Sequence, residues 1–176
     1  MDAGRFVMRS LTKEVLLGIG AGYAASRLMD RVTTAFQEQQ SEASRQREKE
    51  LQEVPAYVKA AEKLAEIRGE RIDQERAERL GRQLHLGLGL SGGLTAGLLA
   101  ARGVNPLAAG ILTGLGMWAF VDEGANAAFG FTPPATVYPR ETHIRGLVGH
   151  LAYGAALGVI LAVGDLLLPG GGKTED

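Results

Sequence analysis

The chain has 176 residues, the length of one domain, with 19 Lys and Arg against 20 Asp and Glu. That near-cancellation excludes a global field that would gather nucleic acid, and the lack of cysteine excludes disulfides, thiol nucleophiles and thiolate metal sites. Glycine is the outlier, at 25 residues, and most of it lies inside apolar stretches rather than in linkers.

The charges are segregated along the chain. Of the 39 charged residues, 24 fall between Arg27 and Arg82, whereas Gln83 to Val121 holds only Arg102 and Gly146 to Leu168 only Asp165. A bilayer-spanning helix needs about 20 predominantly apolar residues. After a tail at 1–14, the first such stretch begins at Val15 and reaches spanning length by continuing through Arg27, Asp30 and Arg31 to Phe36. A signal peptide is the competing reading there, with Arg5, Arg9 and Lys13 as its basic flank, but no clean small-residue cleavage site precedes a globular domain.

Residues 37–82 form a polar helical insert. Thr33 to Val54 carries few large apolar groups and reads as a solvated helix or as disorder. Pro55 breaks it; Tyr57, Ala60, Ala61, Leu64 and Ala65 then recur at helical spacing, giving a short amphipathic helix. Asp73 is placed to cap a further helix that runs on into the next apolar stretch.

Residues 83–168 contain three more apolar segments. Leu84 to Ala101 and Pro106 to Val121 are joined by Arg102-Gly103-Val104-Asn105, in which Gly103 suits a left-handed helix end, Asn105 a cap and Pro106 a first helical position. This link predicts a helical hairpin. A proline-rich connection at 124–145 then leads into the last segment, Gly146 to Leu168, and a short tail at 169–176 follows. The predicted fold is all-α: a four-span transmembrane helical bundle with glycine-rich packing faces and a cytoplasmic helical insert. A soluble bundle is the weaker alternative, because helices apolar all round need a large core or lipid, and this chain is too small to bury four. The two inner connections carry 12 and 2 basic residues against five on the opposite side, which places the insert and the third connection in the cytoplasm.

Each segment carries small residues four apart, the spacing that lets helix backbones approach closely in lipid. The rows run Gly18, Gly22, Ser26, Asp30; His85, Gly89, Gly93, Gly97; Gly110, Gly114, Trp118, Asp122; and Gly146, His150, Gly154, Gly158. Up-down-up-down threading brings the ionisable member of every row toward the cytoplasmic end. Arg27, Glu123 and His143 lie nearby, so the candidate polar cluster is His85, Asp122, Glu123, His150, His143, Asp30 and Arg27. Ionisable groups within spans are costly and usually face the bundle interior. Three readings compete: structural glue, proton or ion handling by histidine beside carboxylate, and a metal site. No HxxxH or HExxH spacing fixes two ligands on one turn, and neither a nucleophile set nor a phosphate-binding glycine loop is present, so no metal and no cofactor are predicted.

The segment GFTPPATVYPRETHIRGLVGHLAYG, Gly130 to Gly154, together with VKAAEKL at Val58 to Leu64 and HLGLGLSGGLTAG from His85, resembles the YagU-like family of bacterial inner-membrane proteins. The most specific part is Thr132-Pro133-Pro134 followed by Gly149-His150. The resemblance covers about Gly18 to Leu168 and implies a multi-pass inner-membrane protein; the namesake's association with acid resistance suits a protonatable cluster. The resulting expectation is a stress-tolerance or accessory membrane protein with proton or ion coupling at this cluster, with enzymatic activity left open and not favoured. A metal-dependent membrane enzyme using the same side chains, or a structural protein binding a partner through residues 33–82, are the alternatives. Partners are the lipid bilayer and further copies of the chain, with no nucleic acid.

Overall fold

The computed structural model describes residues 11–168, and every regular element among them is helical. Of the tail expected at 1–14, residues 1–10 lie outside the described residues and 11–14 open helix α1; the tail expected at 169–176 lies outside the described residues. Helix α1 spans Leu11–Gln39, α2 Glu42–Leu51, α3 Ala56–Ile67, α4 Gln74–Ala101 and α5 Pro106–Gly116. From Met117 to Ala125 the α5 backbone widens into a π-helix, followed by the single turn α6 at Asn126–Ala128, a 3₁₀ turn at Ala135–Val137 and helix α7 at Arg140–Leu167.

The local chemistry explains the boundaries. Asp73 accepts a hydrogen bond from the Arg76 amide at the start of α4, and α4 continues without a break through Leu84. Asn105 accepts from the Leu107 and Ala108 amides, with Pro106 at the first helical position, while Gly103 adopts φ +88°. The hairpin is built as its sequence demands. The first helix is longer than the span reading: it starts four residues before Val15 and passes Phe36 to end at Gln39, because Ala35 to Gln39 contains no breaker.

Helices α1, α4, α5 and α7 form a four-membered ring in which α1 packs on α4 and α7, and α5 closes the ring between α7 and α4. Its interior is small: Ala21, Ala25, Ala96 and Ala100 are buried beside Tyr153, Leu157 and Leu161. Two seams approach to backbone contact. A Cβ at Gly22 would lie 2.6 Å from the Gly89 carbonyl oxygen, and one at Gly93 2.8 Å from the Gly22 Cα; Gly18 and Gly97 face the same seam. Across α5 and α7, a Cβ at Gly110 would lie 2.6 Å from the Gly158 nitrogen, with Gly114 and Gly154 continuing the contact.

The outer surface inverts the usual order. Leu16, Tyr23, Leu86, Leu112, Phe120 and Val159 are exposed, while the residues facing inward are largely Gly and Ala. Two helices, α4 and α7, are long and apolar enough to cross a membrane; at 28 residues each and about 1.5 Å per residue, they exceed a hydrocarbon core of about 30 Å.

The insert is ordered. Rather than a free solvated stretch, Glu42–Leu51 is a helix capped by Ser41 and turned back toward the start of α7, with Gln40 and Ser44 buried. Helix α3 lies along the polar first half of α4, its Val58, Ala61 and Ala65 buried.

Candidate functional site

The ionisable residues of the bundle gather at the end where α1 leaves for the insert and α7 begins. The π-helix supplies two adjacent acids to different partners. Its Asn126 amide bonds to the Val121 carbonyl, five residues back, so the turn is wider than an α-turn. From it Asp122 reaches His150 (Oδ2 to Nε2, 2.9 Å), and Glu123 reaches His143 (both oxygens 2.8 Å from Nδ1). Between the two histidines lies Gly146, where a Cβ would stand 3.3 Å from the Trp118 ring and 3.8 Å from Asp122. Glycine there lets the π-turn lie against α7.

The pairs differ in setting. His150 is buried, with a side chain 5% exposed, and its Nδ1 has no hydrogen-bond partner among the described residues. Asp122 is 40% exposed and opens onto a cavity. His143 and Glu123 are both about a quarter exposed. The third pair, His85 with Asp30 at 3.9 Å, is half exposed on both sides, and Asp30 also faces Arg27 at 3.6 Å.

A cavity of about 610 Å³ brings His85, Asp122 and His150 to one space, together with Arg145, Tyr57 and Tyr153. The Tyr57 and His85 rings lie 5.4 Å apart, and the Tyr153 hydroxyl crosses the interior to donate to the Gly89 carbonyl at 2.5 Å. A smaller neighbouring cavity of about 250 Å³ holds Glu123 and His143, and shares Asp122, Asn126 and Arg145 with the first. Arg27 and Asp30 line a separate groove on the outside of α1. Of the seven candidates, His85, Asp122 and His150 therefore share one space, Glu123 and His143 the adjoining one, and Arg27 and Asp30 line the outer groove, from which Asp30 reaches His85.

Sequence reasoning missed the clamp that holds this end together. Arg145 Nη1 donates to Gln40 Oε1 at 2.5 Å and to Glu48 Oε2 at 2.8 Å. Gln40 Nε2 donates to Glu48 Oε1 at 2.7 Å, Thr142 also donates to Glu48, and the Tyr138 hydroxyl donates to Gln52 at 2.8 Å. Glu141 accepts from the Ser41 amide at 3.0 Å and from its hydroxyl, and these bonds hold the carboxyl below the usual glutamate range. Desolvation raises the Tyr138 hydroxyl above its usual range, with the Glu48 charge adding to it. Apart from the bond between Gln40 and Glu48, which lie 8 residues apart, these bonds join residues 86 to 105 apart in sequence, so no local spacing announced them.

The opposite end of the bundle holds a second polar group. Glu14 is fully buried, and Lys13 reaches it at 3.4 Å while donating to Asp165 at 2.9 Å and to the Leu168 carbonyl at 2.8 Å. The adjacent Lys13 and Glu14 at the edge of an apolar run were the only signal for this contact.

The chemistry open to the group at the start of α7 is proton exchange and hydrogen bonding. Among the described residues no set of three or more His, Asp or Glu side chains stands close enough to hold a metal ion. The fold and site define an all-helical bundle with two helices able to cross a membrane and a polar cavity at one end. No family model, curated protein or solved structure matches the chain.

Proposed function

We propose that this chain is a multi-pass protein of the bacterial inner membrane, with α1, α4, the α5 and π-helix path, and α7 as its four spans, and that its acid–histidine group is a proton-responsive site. The insert and the third connection lie in the cytoplasm on this reading, following the excess of Lys and Arg there. The exposed Leu, Val and Phe around an interior of Gly and Ala support a lipid environment, since an apolar surface of this extent is unfavourable in water. Membership of the YagU-like family and a part in acid tolerance belong to the same proposal.

One observation carries the functional part: a buried histidine, His150, bonded to Asp122 at 2.9 Å beside a cavity that also takes His85. An imidazole hydrogen-bonded to a carboxylate is a pairing suited to proton exchange, and burial of this depth couples it to the packing around it. The test is the pH response of the protein in vesicles carrying an internal pH dye. Replacing His150 by Asn is expected to flatten or displace that response while the protein stays in the membrane; an unaltered response defeats the proposal. Because the chain has no native cysteine, single cysteines placed at Glu50 and at Asn105 report the topology directly, with labelling expected from opposite sides.

A further inference from the structure

The ring of helices is not sealed all the way round. Between helices α4 and α5 lies a groove of about 300 Å³ lined by Gly92, Thr95, Leu99, Leu112, Thr113 and Gly116. Met117 and Val121 line both this groove and the 610 Å³ cavity, so the two meet at those side chains, with the Met117 thioether packed toward Gly92. The groove follows α4 from Ser91 to Leu99, roughly 12 Å at the α-helical rise. Gly116 has no atom within 4 Å of where its Cβ would stand, in contrast to Gly110 and Gly114 on the same helix, which meet the α7 backbone. Its missing side chain serves the groove, not a helix seam.

The polar end of this space has a particular character. Each ionisable group on its wall already has a polar partner: Asp122 has His150, Arg145 has Glu48, and His85 has Asp30. An anionic head group would have to displace one of those partners. The remaining wall is aromatic and soft, with Tyr57, Phe129, Phe131, Tyr153, Met29 and Met117, which suits the face of a flat ring. Asn126 and the Tyr57 hydroxyl make no side-chain hydrogen bond among the described residues, and the buried His150 Nδ1 has none either. A cavity of this volume is in the range of small-molecule sites, about 300–1,000 Å³.

From the adjoining cavity and groove we infer that the protein binds a neutral membrane amphiphile with a ring head bearing carbonyl or hydroxyl oxygens and one long apolar chain, the chemistry of membrane quinones. The head occupies the cavity, where Asn126 and Tyr57 face its oxygens, and the chain leaves along the groove between α4 and α5. The inference rests on the membrane reading proposed above, but not on proton coupling.

The probe is decylubiquinone, titrated into the detergent-purified full chain and read by quenching of Trp118, the sole tryptophan, which follows Met117 on the π-turn. Saturable quenching is expected. Gly116→Leu and Thr95→Phe fill the groove from positions that spare both seams, and should weaken binding at least tenfold. Gly20→Leu, on an exposed face of α1 with open space at its Cβ, should leave it unchanged. Helix content and elution volume identify any variant that has misfolded, and the second groove variant then carries the test. Quenching that does not saturate, or that is equal in all three variants, overturns the proposal. So does displacement of the quinone by phosphatidylglycerol at equal concentration, or cysteine crosslinking of Thr95 to a second copy across the groove. If the chain is recovered from cells in the soluble fraction, the membrane reading itself fails; if it remains in the membrane and binds no quinone, only this inference does.

Discussion

The two halves of the bundle are held by different physics. Toward the hairpin, α1 closes on α4 and α5 closes on α7 through glycines whose backbones touch. Toward the insert, the helices are spaced by side chains, and what holds them is the chain of bonds through Gln40, Glu48, Arg145, Asp122 and His150. The sealed half is held mainly by backbone contact along its seams, with Lys13, the buried Glu14 and Asp165 grouped at its far end. The polar half is roomier, contains both cavities, and depends on the charge of its acids and histidines. Stability at one end and responsiveness at the other can therefore be changed separately.

The largest effect is expected in the sealed half. Gly93→Leu puts a side chain into the α1 backbone at Gly18 and Gly22, where neither partner can yield. Overpacking typically costs about 1–3 kcal/mol, and backbone obstruction on both sides puts this case at or above the top of that range. Folded, monodisperse protein should be lost at every pH. Gly87→Leu, one and a half turns away on the same helix with open space at its Cβ, should be recovered at normal yield.

A smaller loss is expected at the clamp. Arg145→Ala leaves Glu48 and Gln40 without their shared donor in a partly buried place, a loss of about 1–3 kcal/mol. Because the contact joins the insert to α7, the loss should appear as faster proteolysis within α2 while the α1 and α4 seam stays resistant. Equal cleavage of both halves would show that they do not behave as separate units. Gly116→Leu, by contrast, should shift the unfolding temperature little, since a substitution that meets no neighbour is usually within about 0.5 kcal/mol of neutral.

How far the sequence announced this arrangement follows the same division. The hairpin was legible because Gly103, Asn105 and Pro106 each have one local job, and the structure uses all three as such. The all-helical character followed from long apolar runs; the one alternation, at Leu84, Leu86, Leu88 and Leu90, is interrupted by glycines that weaken a strand, and it lies within α4. The π-turn was not legible: Met117 to Ala125 contains no residue that demands a wider turn, and it is the contact of Trp118 with Gly146 and the two acid–histidine bonds that accompany it. The ionisable candidates could be named because each is out of place in an apolar row. Their pairing could not, since Asp122 chooses His150 and Glu123 chooses His143 through the rotation of one helix against another. Gln40, Glu48 and Arg145 looked like members of a solvated face, which is what most such residues are.

The smallest predicted effect separates the two halves by pH. The Glu141 carboxyl is held below its usual range by the Ser41 amide and hydroxyl, and it lies outside the apolar spans. A carboxyl with a depressed folded pKa contributes its stabilisation fully above the unfolded value, about 4.3, and loses it as pH falls through the folded value. Acidification should therefore loosen the contact between the start of α2 and the start of α7, while the glycine contacts of Gly22 with Gly89 and Gly93 and of Gly110 with Gly158, which involve no ionisable side chain, stay closed. The Ser41 amide resonance in labelled protein is the direct reporter: its shift should titrate with a midpoint under the ordinary glutamate value, and Glu141→Gln should abolish that step without moving resonances of Gly18 or Gly93. If Gly18 and Gly93 shift with the same midpoint, the seams are coupled to the acid–histidine end, and the bundle titrates as one body.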